Sequence, residues 1–226
     1  MFYLTGDTKG NFKRVERFCY EMSTTKKDVL ILLGDSCIKL GCTEEYILEF
    51  LSKLPITIFC INNYVQCRSA EDIVDKQIWN NGIVLIERKY PDLLFARSGE
   101  IYNFDNQSVL VAGVRECVFS KFLGRQCTED KSLYSVKRKT VQNLRQYQNR
   151  VNVILSPVCP IDCNSKKVQT KEYSSIDRLT RQWLYKIEKM VHYNEWYCGF
   201  HTAKTIGKIN CMSENFDVLV NDFLED

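Results

Sequence analysis

Apolar and polar positions fall into blocks along this chain, and the blocks change period. Residues 1–5 make a short apolar run, and Asn11–Met22 then sets Phe12, Val15, Phe18, Cys19 and Met22 at helical spacing. Asp28–Asp35 follows as the continuous run Val-Leu-Ile-Leu-Leu closed by Gly-Asp, the composition of a strand buried on both faces. That order predicts a β-α-β unit with a parallel strand pair. A helix over Glu44–Leu54 and a further apolar run, Ile56–Ile61, repeat it, so a layered α/β sheet follows.

The middle of the chain reads differently. Gly82–Glu87, Leu93–Arg97, Glu100–Phe104 and Ser108–Ala112 are short β-like pieces separated by Pro91-Asp92, Gly99 and Asp105-Asn106, which predicts antiparallel strands and hairpins. A polar stretch from about 117 to 150 holds a loop and then a helix from about Ser135, with Val136, Thr140, Leu144, Tyr147 and Val151 down one side. Another buried strand, Val151–Ser156, precedes an amphipathic helix, Ile176–Met190. Trp196–Gly199, Lys204–Met212 and Asp217–Leu219 close the chain as strand-like pieces. With no linker, repeat or low-complexity segment, residues 1–226 are expected to form a single α/β domain with two sheet regions.

Composition narrows the classes. A chain of 226 residues with 45% hydrophobic side chains can bury a sizeable core. No run approaches the ~18 consecutive apolar residues of a membrane span. The first residues lack a basic segment followed by an apolar one, so the expectation is a soluble, cytoplasmic protein with no membrane partner. The net charge of +3 is too small to argue for nucleic acid by itself. Eleven cysteines without a signal peptide point to reduced thiols rather than a disulfide framework. The two histidines, His192 and His201, exclude any mechanism that needs a cluster of imidazoles.

Candidate chemistry sits at two strand ends. Asp7 and Asp35 each follow a buried strand, and in such sheets ligands bind in the crevice beyond the carboxyl ends. Neighbouring parallel strands lie about 4.8 Å apart, so both carboxylates can converge on one point. Turn or N-cap aspartates would also fit these positions, and the residues alone leave both uses open.

The strand ends Gly6-Asp7-Thr8-Lys9-Gly10 and Gly34-Asp35-Ser36 resemble the first two motifs of the calcineurin-like metallophosphoesterases, Gly-Asp-x-His-Gly and Gly-Asp, most closely in small bacterial and phage-type members. Later segments resemble the family in the same order. The run from Leu54 to Gln66 is similar to the segment ending in Gly-Asn-His-Glu, and Trp79-Asn-Asn-Gly82, Tyr90–Phe95 and Gly99–Tyr102 to the central strands. The run from Val153 to Pro160 resembles a strand ending in a ligand histidine, and the run from Trp196 to His201 resembles the closing Gly-His-x-His. The resemblance implies a metallophosphoesterase-like sandwich of mixed β-sheets flanked by helices. It also implies a site where two divalent ions, bridged by the second aspartate, activate a water and clamp a phosphate.

Most positions that carry this chemistry depart from the pattern. Asp7 and Asp35 match, but Lys9 replaces the first histidine, Tyr64 and Val65 fall where Asn and a phosphate-contacting His are expected, and Pro157 replaces the strand-end His. In the last motif, counting from Gly199 puts Phe200 and Thr202 at the histidine positions, whereas a one-residue deletion makes His201 the final histidine; the second register is preferred. Hard or borderline ions need several O or N donors in one shell, and two-metal catalysis needs both ions. The expectation is therefore a pseudoenzyme without a cofactor that binds a protein partner or a phosphorylated ligand. Lys9, as an internal cation between Asp7 and Asp35, would stand in for the metal.

Two alternatives remain open. One is a residual phosphoesterase holding a single divalent ion such as Mn²⁺ on Asp7, Asp35 and His201. The other is a nucleic-acid-binding module on the basic segment that includes Lys137, Arg138, Lys139 and Arg145, with Tyr134 to add stacking and Tyr147 packing inward. A soft zinc site among Cys37, Cys42, Cys67, Cys159 and Cys163 has no recognised spacing, and individual thiols are the expectation. His192 is assigned to packing.

Overall fold

The computed structural model describes residues 1–34, 36–38, 40, 41, 43–61, 74–113, 129–160, 175–200 and 203–219, with backbone alone at 129–133 and 175–179. Two mixed sheets lie face to face, with helices on both outer faces. The first sheet has the order β13-β1-β2-β3-β6-β5-β4, built from β1 (Phe2–Thr5), β2 (Val29–Leu32), β3 (Thr57–Cys60), β4 (Val74–Trp79), β5 (Gly82–Glu87), β6 (Tyr90–Ala96) and β13 (Phe216–Val218). The second has the order β11-β12-β10-β9-β8-β7, built from β7 (Ile101–Phe104), β8 (Gln107–Val111), β9 (Val153–Ser156), β10 (Glu195–Gly199), β11 (Lys204–Ile206) and β12 (Ile209–Met212). Each sheet has the same plan. Four central strands run parallel, β1-β2-β3-β6 in one and β12-β10-β9-β8 in the other, and antiparallel strands flank them.

The sequence explains the layering. The central strands β1, β2, β3 and β9 are buried throughout, as continuous apolar runs require when both faces are covered. Between the sheets, Phe2 stacks on Phe104 at 4.4 Å and Phe59 meets Tyr102 edge-on at 5.1 Å, so aromatic side chains of both sheets fill the middle layer. Outside the first sheet, α1 (Lys13–Glu21) buries Val15, Phe18 and Cys19, and α2 (Glu45–Lys53) buries Leu48 and Leu51. Outside the second, α3 (Glu129–Gln146) and α4 (Ser175–Met190) cover Ile154, Trp196 and Cys198 through Leu144, Trp183, Leu184 and Ile187. Burying each of these large apolar side chains stabilises the fold by roughly 1.5–3 kcal/mol. No helix among the described residues is long and apolar enough to cross a membrane.

Several sequence expectations need correction. Lys204–Met212 is not one strand but the hairpin β11-β12, turning at Gly207, whose φ of 58° favours glycine. The polar edge strand β4 carries no hydrophobic alternation and was not expected; Asn80 and Asn81, at φ 46° and 66°, turn it into β5. The strand expected from Leu93 begins at Tyr90, and the ladder tolerates Pro91 because the β5-β6 register shifts at Ile86/Glu87. The third helix starts at Glu129 and ends before Tyr147, which is 39% exposed rather than packed inward. His192 is likewise exposed, and its backbone forms a bridge with Arg150.

Candidate functional site

The carboxyl ends of the parallel strands of both sheets meet at one edge of the sandwich, and glycines make the meeting possible. Gly6, directly after β1, donates its N–H to the Ser213 carbonyl just beyond β12, at 2.7 Å. A Cβ on Gly6 would lie 2.1 Å from the Met212 carbonyl oxygen, and one on Gly199 would lie 2.4 Å from the Gly34 Cα. Real Cβ atoms do not approach backbone so closely. Only unsubstituted backbone lets β1 and β2 close against β12 and β10.

Asp7 stands in this junction, half-buried, with its Oδ1 where a Cβ of Gly34 would be, 1.8 Å away. The Thr8 hydroxyl donates to the Ser36 carbonyl at 3.3 Å and ties the loop after β1 to the loop after β2. Asp35, Tyr64, Val65 and His201, together with Thr202, lie outside the described residues. Pro157, buried directly after β9, and Phe200, half-buried after β10, are described, and neither side chain has a donor atom for a metal. The Phe200 N–H donates to the Met212 carbonyl at 2.7 Å, and its ring packs on the helix-covered layer.

The expected bridge from Lys9 to Asp7 and Asp35 involves a residue, Asp35, that lies outside the described ones. Lys9 is exposed in a left-handed turn, φ 48°, and forms no ion pair among the described residues. A cation that the sequence reading did not single out lies near the seam. Arg14, near the start of α1, donates from Nη2 to Thr5 Oγ1 at 2.8 Å and from Nη1 to the Glu214 carbonyl, with its guanidinium 5.0 Å above the Phe216 ring. Partial burial lowers its proton affinity, while the charges of Glu214 and Asp7 act in the opposite direction. Sequence reasoning missed Arg14. The available signal was a basic residue in the first turn of the helix after Gly-Asp-x-x-Gly.

The basic segment is less free than its charge suggests. Lys139 pairs with Glu100, which is 9% exposed, and Lys137 lies 5.6 Å from the centre of the Trp183 ring. Arg138 and Arg145 are exposed. Among the cysteines weighed for zinc, Cys37 is exposed and Cys42, Cys67 and Cys163 lie outside the described residues. Cys159 instead joins two thiols outside that set, Cys198 and Cys211. Hydrogen bonds from Cys159 and Cys198 hold the Cys211 thiol well below its usual range against the opposing effect of burial, with Lys204 and Arg181 adding in the same direction.

No protein-family model matches the chain, and the curated proteins hold no match either.

Proposed function

We propose that this chain is a calcineurin-like metallophosphoesterase fold whose two-metal centre has been dismantled, and that it acts by binding a protein partner or phosphorylated ligand where the strand ends converge. One observation carries the reading. The carboxyl ends of β1 and β2 close on those of β10 and β12 through Gly6, Gly34 and Gly199, with the Asp7 carboxylate in the seam. The resemblance implies a two-ion site that includes Asp7, and the seam supports reading this edge as where that site stood.

The donor set at that edge does not fit two ions. Pro157 and Phe200 offer no ligand atom, and Tyr64 and Val65 stand where Asn and His would be. The positive charge of Arg14 acts on Asp7 and disfavours a cation there.

The experiment is metal analysis of the purified protein, together with hydrolysis of a generic phosphodiester in added Mn²⁺. The expected result is no stoichiometric metal and no turnover. Two ions per chain would overturn the proposal. One ion per chain, with turnover abolished by Asp35→Asn, would replace it with a single-ion phosphoesterase on Asp7, Asp35 and His201.

A further inference from the structure

Three thiols that the proposed function does not use come together on the helix-covered face of the second sheet. Strands β10 and β12 are parallel, with Cys198 in register with Cys211. Their neighbours Tyr197 and Met212 point into the layer between the sheets, so the alternation of the strand sends both thiols to the opposite face. The sulfurs lie 3.8 Å apart. Cys159 arrives from the turn after β9, with its Sγ 3.0 Å from that of Cys211, and the three sulfurs lie within 4.8 Å of one another. The exposures of Cys159, Cys198 and Cys211 are 1%, 0% and 5%.

The surroundings hold this arrangement in place. Trp196 Nε1 donates to Ser156 Oγ at 2.7 Å, and that hydroxyl donates to the Val158 carbonyl at 2.8 Å, which fixes the turn bearing Cys159. From α4, Arg181 is 5% exposed and donates from Nη1 to the Cys159 carbonyl at 3.0 Å. Lys204 is the cross-strand partner of Cys211. Arg181 is thus held on the Cys159 backbone, and Lys204, exposed, lies on the neighbouring strand.

We propose that Cys159, Cys198 and Cys211 form a buried three-thiolate site for one soft monovalent d¹⁰ ion, copper(I). Thiolate sulfur selects soft ions, and each bound thiol releases its proton to solvent as the metal enters. Three sulfurs around an ion at a metal–sulfur distance of roughly 2.3 Å are separated by about 4.0 Å. The Cys198–Cys211 pair already meets that spacing, and Cys159 reaches it by moving outward about 1 Å. Structural zinc takes four ligands. Among the described residues the group consists of these three sulfurs, the number that a trigonal ion takes. Three thiolates around a monovalent cation leave excess negative charge in an apolar layer, which the buried Arg181 guanidinium, held on the Cys159 carbonyl, opposes.

The test is anaerobic titration of the reduced full chain with copper(I), in competition with a chromophoric copper(I) chelator, followed by X-ray absorption at the copper edge. The expected result is one ion per chain retained against the chelator, with three sulfur neighbours and no nitrogen or oxygen. Cys198→Ala and the double variant Cys159→Ser/Cys211→Ser should lose that ion, and Cys37→Ser should keep it. A substitution in this layer can also unfold the chain, so the wild-type spectrum stands as an independent readout: two-sulfur or mixed coordination overturns the site. Retention of the ion by Cys198→Ala overturns it too, as does preference for zinc(II) over copper(I). A Cys159–Cys211 disulfide in protein isolated and alkylated anaerobically would have the same force.

Discussion

Ser156 shows how one hydroxyl can govern a buried turn. Neither it nor Trp196 is exposed, and the indole N–H finds its partner at Ser156 Oγ, 2.7 Å away, while the hydroxyl proton goes to the Val158 carbonyl. Ser156→Ala would leave the indole donor unpaired inside the protein. A buried donor without an acceptor costs about 1–3 kcal/mol, more than the net gain from a typical hydrogen bond. Urea denaturation should show a lower midpoint with an unchanged slope, by a loss in that range. A loss under about 0.5 kcal/mol, typical of a surface substitution, would mean that another acceptor serves Trp196. No sequence pattern announces such a pair, because the two residues are separated by 40 positions and each is ordinary in its own strand. Arg14 escaped notice for a similar reason: its partners, Thr5 and Glu214, lie on either side of it in the chain and meet only through the β1-β13 pairing.

Elements buried on both faces were legible, and elements at the sheet edges were not. The runs at Val29–Leu32, Thr57–Cys60 and Val153–Ser156 announce themselves because burial on two sides demands unbroken hydrophobicity. Strand β4 faces no such demand: Lys76, Gln77 and Ile78 are exposed at the sheet edge, and its sequence carries no period. Its only local signal is the turn that follows it. Asn80 and Asn81 hold φ 46° and 66°, the left-handed pair of a type I′ hairpin, between the cross-strand partners Trp79 and Gly82. Asn81→Val should cost about 1–2 kcal/mol, because a β-branched side chain at positive φ crowds the neighbouring carbonyl. Hydrogen exchange provides the local readout: protection should fall first along β4 and β5. Unchanged protection there would mean that the hairpin does not depend on this turn. Helix α3 teaches the converse lesson about charge. Its basic residues were visible, but Lys139 finds Glu100 from 39 positions away, so a segment that reads as a free cationic face is partly internal.

At the scale of the molecule, the decisive contacts are between backbones of different sheets, and these are the least legible of all. The motif residues Gly6-Asp7 and Gly34 could be placed at strand ends from the sequence, and the structure puts them there. What the sequence could not supply is that the ends of β2 and β10, separated by more than half the chain, touch through Gly34 and Gly199. Substituting Gly199 tests whether the sandwich depends on that touch. The Cβ of Gly199→Ala would meet Gly34 Cα at 2.4 Å, Gly34 N at 2.7 Å and Leu33 C at 3.0 Å, and all three atoms are buried backbone directly after β2. No flexible side chain is available to give way, so the sheets themselves must part, at the 1–3 kcal/mol or more that overpacking costs, roughly. Gly207→Ala is the internal control. Its φ of 58° carries a conformational penalty of about 1 kcal/mol, but a Cβ there meets nothing within 4 Å. Gly199→Ala should therefore be the more destabilising of the two and should also loosen the seam around Asp7, seen as faster exchange of the Gly6 amide that bonds Ser213. If Gly207→Ala proved the costlier change, the close approach of the two sheets would not be what holds the strand ends together.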